Sequence, residues 1–409
     1  MDIDEYLSNI KNYSDKTSKT TINIIEINNK RIKLYINEFW TSKQRKSNSI
    51  HEISYRACFK SQLPNFFISL LTKPCDIVYD PFSGRGTTII EAALLNRNII
   101  SNDINPLSKI FCKPRLFIPN IDEIQKRLNE IEIKNNLQSD IDLSMFFHDN
   151  TLNEILSIKN YLINKEKDKI NDHVDDWIRM VATNRLTGHS KGFFSIYTLP
   201  PNQALLPERQ KIINLKRNIT PEYRNVKQII LKKSKSLLRN INNIKNNELK
   251  NIGLNSIFLE SDASETKEIK GNIVTLIVTS PPFLDVVHYS NDNWMRLWFN
   301  NIDYNEVSKK ITFTKNISEW NKKMESVLIE LYRVTKPNGY VAFEVGEVKK
   351  GKIQLDIEIA TIGINIGFEC IGIIINKQNF TKTANIWGVS NNEKGTNTNR
   401  IVLFKKKKN

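Results

Sequence analysis

The chain has 409 residues, with 60 Lys and Arg against 44 Asp and Glu, and a formal net charge of +16. At about 100–200 residues per domain, this length predicts two domains or one domain with a large insertion. A basic surplus of this size favours nucleic acid as the large partner, with an acidic membrane surface as the alternative. No apolar run in the sequence approaches the about 20 residues of a spanning helix, and the first twenty residues are polar. We therefore expect a soluble, cytoplasmic protein without a membrane segment or signal peptide.

Cysteine and histidine usage gives no sign of a metal centre. The four cysteines are scattered without a CxxC pair, and the five histidines lack the spacing of metal ligands. Such a pattern argues against a zinc site and against a disulfide framework. We therefore predict no metal.

The first 49 residues predict a hairpin and a basic arm. The stretch "TINIIEINNKRIKLYIN" (21–37) reads as two alternating strands around Asn28-Asn29, a common hairpin signal. The segment "TSKQRKSNS" (41–49) is polar, basic and aperiodic. It predicts a loop.

The remainder predicts an α/β domain with a helical insertion. "DIVYD" (76–80), "TTIIEAALLN" and "NIISND" (98–103) form one strand-helix-strand unit, which implies a parallel sheet. Residues 113–252 are mostly amphipathic helix, with Pro207 opening one helix. Strands resume at "SIFLES", "NIVTLIV" and "GYVAFEVG", and "FECIGIIIN" and "RIVLFK" look like a closing pair. We assign 50–112 and 253–409 to the α/β domain and 113–252 to the insertion.

A glycine-rich turn follows the first parallel strand. In "DPFSGRGTT" (80–88), Gly84 and Gly86 allow a tight turn and close approach of a ligand, and Asp103 ends the next strand. This arrangement suits a nucleoside held through its ribose hydroxyls. The third glycine of a dinucleotide fingerprint is missing and no GK[ST] follows, which favours S-adenosylmethionine over NAD or ATP. The alternative for a lone GxG is a packing turn.

Asp262 is a third carboxylate at a predicted strand end, after "SIFLES". Ligands of such sheets sit at the carboxyl ends of the strands, so Asp262 is well placed to accept from an adenine amine. The alternative role is a helix cap.

A second motif, "TSPPF" (279–283), ends the strand "NIVTLIV". Two prolines stop a sheet and set a stiff turn, and a plain strand-terminating turn is one interpretation. The other is catalytic: the Ser280 hydroxyl and Pro281 carbonyl, held by the Pro281-Pro282 ring constraints, would accept from an exocyclic amine, while Phe283 stacks on the base. That base must first leave the duplex stack.

Together these motifs resemble those of the S-adenosylmethionine-dependent DNA amino-methyltransferases, the cytosine-N4 and adenine-N6 group. The resemblance implies a Rossmann-like fold with a mostly parallel seven-stranded sheet. It also implies double-stranded DNA as substrate and a cognate restriction endonuclease as a possible partner. The cofactor-binding residues that it implies are Phe59 and Pro64 from "HEISYRACFKSQLPNFFISLL", Asp80, Phe82, Gly84, Gly86 and Thr87 from the first motif, Asp103 for the ribose and Asp262 for adenine.

The target base and the substrate class have alternatives. Serine before the two prolines is typical of cytosine-N4 enzymes, whereas an acidic residue or Asn there is typical of adenine-N6 enzymes. Phe283 keeps the stacking face of the more frequent Tyr and loses its hydroxyl. The alternatives are an RNA amino-methyltransferase acting on guanine, whose family also has "DPF.G.GT" before its catalytic motif, and a non-catalytic nucleic-acid-binding protein.

Target recognition is predicted in the insertion. The loop from Arg185 to Leu199 carries Gly, Lys and aromatic residues and leads to a basic helix, which suits contact with phosphates and bases. Alternatively Phe193, Phe194 and Tyr197 anchor the insertion, and the charge run is a solvated helix face. The candidate nucleic-acid contacts are Lys191, Arg209, Lys232, Lys233, Lys235 and, for the base pocket, Trp387.

Overall fold

The computed structural model describes residues 2–41, 47–55, 58–198, 205–282, 289–311, 314, 316–348, 353–377 and 398–408. Its strands are β1 (Thr21–Ile27), β2 (Lys30–Asn37), β3 (Ile77–Asp80), β4 (Asn98–Asn102), β5 (Ile257–Leu259), β6 (Val274–Thr279), β7 (Thr335–Val345), β8 (Glu347–Val348), β9 (Ile353–Gln354), β10 (Glu369–Lys377) and β11 (Thr398–Lys405).

Helices surround these strands. They are α1 (Ile3–Asn9), α2 (Gln62–Leu71), α3 (Thr87–Leu94), α4 (Leu107–Cys112), α5 (Ile121–Glu130), α6 (Asp149–Lys167), α7 (His173–Arg185), α8 (Pro207–Arg217), α9 (Val226–Leu238), α10 (Asn243–Leu254), α11 (Tyr289–Phe299), α12 (Tyr304–Lys310), α13 (Ile317–Val334) and α14 (Leu355–Ile366). No helix within the described ranges is long and apolar enough to cross a membrane.

One twisted sheet organises the chain. Its strand order is β1-β2-β10-β11-β7-β6-β3-β4-β5, and β8 and β9 form a separate small ribbon. Strands β7, β6, β3, β4 and β5 pair in parallel, while β11 is antiparallel to both β7 and β10. The α/β Rossmann-like prediction is confirmed, but the strand count of seven is wrong. The sheet has nine strands: seven of them lie from β10 to β5 in the spatial order given above, and the N-terminal hairpin adds β1 and β2.

The hairpin joins the sheet through its second strand. Asn28 and Asn29 have φ values of 51° and 58°, the left-handed conformation that a tight two-residue hairpin turn requires and that asparagine tolerates. Strand β2 then pairs in parallel with β10. The predicted hairpin is therefore present and extends the sheet at one edge.

Helices α4 to α10 lie between β4 and β5 in the chain. They share one hydrophobic core with the sheet, because Trp177 of α7 and Val226 of α9 belong to the same buried cluster as Val78 of β3 and Ile89 of α3. Helix α8 begins at Pro207, as predicted. These helices thus form one wall of the α/β body.

Candidate functional site

A pocket of about 1070 Å³, its open mouth included, lies at the carboxyl ends of the parallel strands. Asp80 ends β3, Asp103 follows β4 and Ser280 follows β6, so topology alone brings the two motifs to one edge of the sheet. Nine of the predicted site residues line this pocket: Phe59, Asp80, Phe82, Gly84, Thr87, Asp103, Asp262, Ser280 and Pro282.

Two side-chain hydrogen bonds connect the glycine-rich motif to the Ser-Pro-Pro motif. The Thr279 hydroxyl donates to Asp80 Oδ1 at 2.6 Å, and the Thr88 hydroxyl donates to the Val278 carbonyl at 3.0 Å. Thr279 and Thr88 are fully buried. Residues almost two hundred positions apart are therefore held in one rigid unit, because buried hydrogen bonds are costly to break.

Two carboxyl groups give the pocket its electrostatic character. Burial raises the pKa of Asp80 to about 7, against hydrogen bonds from Thr279 and the Phe82 amide. Burial likewise raises the pKa of Asp103 to about 6. Buried carboxylates are destabilised unless a cation or a donor compensates them. A ligand that carries positive charge and donates hydroxyl groups supplies both, so the pocket fits S-adenosylmethionine better than an anionic nucleotide.

Asp103 is held in place by the glycine-rich turn. The Gly84 amide donates to its Oδ2 at 2.7 Å, and the Asn105 amide donates to its Oδ1 at 2.9 Å. Gly84 has a φ of +51°, a left-handed conformation that favours glycine. Each carboxylate oxygen keeps a further lone pair, which leaves Asp103 able to accept from two vicinal hydroxyls of a ribose.

Gly86 and Pro64 lie outside the pocket lining. Gly86, with a φ of +78°, precedes α3, and a Cβ built on it would lie 2.3 Å from Cys112 Sγ. Its absent side chain therefore permits close packing between the turn and α4. Pro64 is buried in the first turn of α2.

Arg85 attaches the segment before β3 to the glycine-rich turn. It is buried, and its guanidinium donates to the Ile53 carbonyl at 2.7 Å and to the Phe59 carbonyl at 3.4 Å. Phe59 and Tyr55 line the pocket. The arginine between the two glycines thus positions the segment predicted to close over the ligand.

Asp262 is already engaged in an ion pair. Lys323 Nζ lies 2.6 Å from its Oδ2, and Ser264 donates to its Oδ1 through both its amide and its hydroxyl. Burial opposes ionisation, but the hydrogen bonds from Lys323 and Ser264 hold the pKa of Asp262 below its ordinary value. An adenine amine would share this carboxylate with Lys323.

The Pro-Pro turn is fixed from α13. The Trp320 indole donates to the Pro282 carbonyl at 3.0 Å, and Trp320 is buried and lines the pocket. Pro281 is buried but is not among the lining residues. The predicted stacking residues Phe283 and Trp387 lie outside the described residues.

Glu344 is a buried carboxyl beside Ser280 that the sequence reasoning missed. Thr279 pairs with Phe343 in the parallel β6–β7 ladder, so the next residues, Ser280 and Glu344, lie side by side. Asn399 donates to Glu344 Oε1 at 2.6 Å, and Ser280 also hydrogen-bonds this carboxyl. Burial raises the pKa of Glu344 to about 7 in spite of these bonds.

The missed residues carried weak signals. Glu344 is an acidic residue inside the apolar strand "YVAFEV", and Lys323 and Trp320 lie on an amphipathic helix. A charged residue within a buried strand is informative by itself. This signal could have identified Glu344 from the sequence, whereas the contacts of Trp320 and Lys323 depend on the tertiary fold.

The predicted nucleic-acid contacts are spread over three elements. Lys232 and Lys235 on α9, Arg209 on α8 and Lys191 in the loop after α7 are exposed. Lys233 instead turns inward, with its Nζ 3.5 Å from Glu52. The loop aromatics Phe193 and Phe194 are buried, which agrees with the anchoring alternative. Tyr197 packs under Arg217, with the guanidinium 4.0 Å from the ring centroid.

Comparison with known proteins gives one family and several relatives. A family model described as "DNA methylase", of the N6/N4 group, matches residues 4–109. The type II methyltransferase M.BsoBI of Geobacillus stearothermophilus is 24% identical over 317 residues, which cover 71% of this chain and 60% of the relative. M.MvaI of Kocuria varians, another type II methyltransferase, is 24% identical over 258 residues, covering 56% and 52%.

The chain thus spans about half to three fifths of the length of these curated relatives. Among solved structures, the rRNA methyltransferase aviRa of Streptomyces viridochromogenes is similar, at 8% identity and a TM-score of 0.36, over 90% of this chain and 94% of that one.

Proposed function

We infer that this chain, a member of the S-adenosylmethionine-dependent N4/N6 DNA amino-methyltransferase family, methylates the exocyclic amine of a base flipped out of double-stranded DNA. We propose cytosine N4 as the preferred target over adenine N6. The observation that carries the proposal is that the glycine-rich turn and Ser280 line one pocket and are joined by the Thr279–Asp80 hydrogen bond. The basic charge of +16 supports a nucleic-acid substrate.

The residues that would hold S-adenosylmethionine follow three strands, β3, β4 and β5, and include Phe59 from the segment before α2. Phe59, Phe82 and Gly84 would contact its methionine part, Asp103 its ribose hydroxyls and Asp262 its adenine. When bound, the cofactor supplies the methyl group that the amine attacks. The carboxylates of Asp80 and Asp103 favour a cationic ligand, because opposite charge relieves the penalty of their burial.

Ser280 would orient the target amine. An exocyclic amine is a poor nucleophile because its lone pair is delocalised into the ring, so acceptors aimed at its hydrogens favour the pyramidal, reactive geometry. The Ser280 hydroxyl donates to Glu344 when that carboxyl is ionised, which directs its oxygen lone pairs toward the pocket. Trp320 holds the adjacent Pro282 carbonyl. These groups are fixed before the substrate arrives, as electrostatic preorganisation requires.

The test is to incubate the protein with S-adenosylmethionine and unmethylated DNA, digest to nucleosides and identify the product by mass spectrometry. N4-methyldeoxycytidine is the expected product. N6-methyldeoxyadenosine would keep the reaction class and overturn the base preference. Methylation of RNA in place of DNA would overturn the substrate class, and no methylation of either would leave a non-catalytic binding protein.

Two variants assign the roles. Ser280→Ala should lower turnover by about 10²-fold or more while S-adenosylmethionine binding changes little, as for removal of one preorganised polar group. Asp103→Ala should chiefly weaken cofactor binding, measured by calorimetry. Equal losses of binding and turnover in both variants would contradict this division of labour.

A further inference from the structure

Four cationic side chains surround the short segment 52–55 that leads to the pocket. They are Arg185 at the end of α7, Lys233 and Arg239 on and just after α9, and Arg296 on α11; we call them the basic cluster. The Arg296 and Arg185 guanidinium groups reach the Ser54 carbonyl at 3.1 Å and the Ser54 hydroxyl at 3.4 Å. Helices α7 and α9 of the predicted insertion therefore meet segment 52–55 and α11 of the α/β domain at a strongly basic contact.

The positive charge of the basic cluster exceeds the negative charge around it. Among the described residues, the carboxylates that act on it are Glu52, 3.5 Å from Lys233 and 3.1 Å from Arg239, and Asp292, which acts on Arg296. Arg185 and Arg296 are 8% and 5% exposed. Burial lowers the pKa of Lys233 to about 8, and the nearby charge of Arg185 makes a smaller contribution in the same direction. Cationic side chains that are buried together in spite of desolvation and mutual repulsion commonly mark a functional site.

Arg185 also has a buried donor that no described residue pairs with. Its Nε makes no hydrogen bond within the described ranges, although the guanidinium stacks 4.0 Å above the Phe193 ring. A buried unpaired donor costs about 1–3 kcal/mol. An anion that reaches this guanidinium would remove that cost.

We propose that the basic cluster binds a backbone phosphate of the DNA substrate, next to the target pocket. This inference rests on the proposed function. Arg296 lies 5.5 Å from the ring of Tyr55, which lines the pocket, so a phosphate held here is near the flipped nucleotide. Glu52 has a side chain 42% exposed; it occupies the outer side of the cluster and turns to solvent when phosphate binds. Planar guanidinium groups and an ammonium group are the usual phosphate ligands.

Salt dependence of DNA binding tests the proposal. Fluorescence anisotropy with a labelled DNA duplex would give Kd from 50 to 300 mM NaCl for the wild type, Lys233→Gln, Lys233→Arg and a control, Lys30→Gln. Lys30 is exposed at the start of β2, at the sheet edge opposite the pocket. Each phosphate contact contributes about 0.9 to the slope of log K against log salt. We expect Lys233→Gln to lose about that much slope, and Lys233→Arg and Lys30→Gln to keep it.

An unchanged slope in Lys233→Gln, with S-adenosylmethionine binding intact, would overturn the phosphate site. If the wild type then still methylates DNA, the proposed function stands. A wild type that neither binds nor methylates DNA would overturn both.

A pH series gives a second readout that a structural role would not move. Lys233 faces Arg185, Arg239 and Glu52, and phosphate favours its charged form. DNA affinity should therefore fall between pH 7 and 9 in the wild type and fall less in Lys233→Arg. Identical profiles would count against the site.

Discussion

Replacing Gly86 with alanine tests why the second glycine of the turn is required. The residue has a φ of +78°, and an added Cβ would lie 2.3 Å from Cys112 Sγ and 3.1 Å from Arg115 Nη2. A left-handed conformation costs an L-residue about 1–2 kcal/mol, and overpacking a core costs about 1–3 kcal/mol. We therefore expect Gly86→Ala to lower the free energy of unfolding by about 2–5 kcal/mol.

A double mutant separates the two contributions. Cys112→Ala removes the sulfur that the new Cβ would meet but leaves the backbone strain. Urea unfolding of the two single variants and the double variant should give a coupling energy of about 1–3 kcal/mol in favour of the double variant. A coupling below about 0.5 kcal/mol would refute the packing explanation. If Gly86→Ala and the double variant both fail to bind S-adenosylmethionine, although the double variant recovers the packing contribution to stability, Gly86 instead contacts the cofactor.

Two further predictions follow from the raised carboxyl pKa values. With the pKa of Asp103 at about 6, the affinity for S-adenosylmethionine should rise about tenfold from pH 5 to 7 as the carboxylate forms. Calorimetry should show a smaller rise for Asp103→Asn. Equal rises in the two proteins would contradict the role of Asp103 in cofactor binding. With a folded pKa of about 7 against an ordinary 4.5, Glu344 binds more protons in the folded state, so the free energy of unfolding should fall by up to about 3 kcal/mol from pH 4.5 to 7. Glu344→Gln should reduce that fall in urea unfolding, and an unchanged fall would exclude Glu344 as its source.

The parts of the fold that local sequence determines were predictable. The Asn28-Asn29 hairpin turn depends on the tolerance of asparagine for positive φ, and the central strands depend on short apolar runs bounded by turns. Each signal lies within a few residues. The addition of the hairpin to the sheet edge was not predictable, because the partner of β2 is β10, more than three hundred residues away.

The residues of the candidate site likewise divide into those that local sequence identifies and those that only tertiary contacts reveal. Asp103 and Ser280 were identified because each follows an apolar strand, and Asp80 because it opens the glycine-rich motif; parallel strands bring these ends together. Glu344 required the register of β6 against β7, and Trp320 required the packing of α13 on the Pro-Pro turn. Pattern therefore identified the residues that end strands, whereas their supporting residues emerged from tertiary contacts.

The position of the predicted insertion (113–252) in the chain explains how a large segment leaves the strands of the site paired. The chain departs after β4 and returns as β5, the edge strand, so β3 and β6 at the centre keep their pairing and their Thr279–Asp80 bond. The insertion is nevertheless connected to the pocket, since Asn184 of α7 donates to the Ser54 carbonyl at 2.9 Å and Tyr55 lines the pocket. On the proposed function, DNA that contacts these helices would act directly on the pocket wall and would couple recognition to the site without moving the strands that form it.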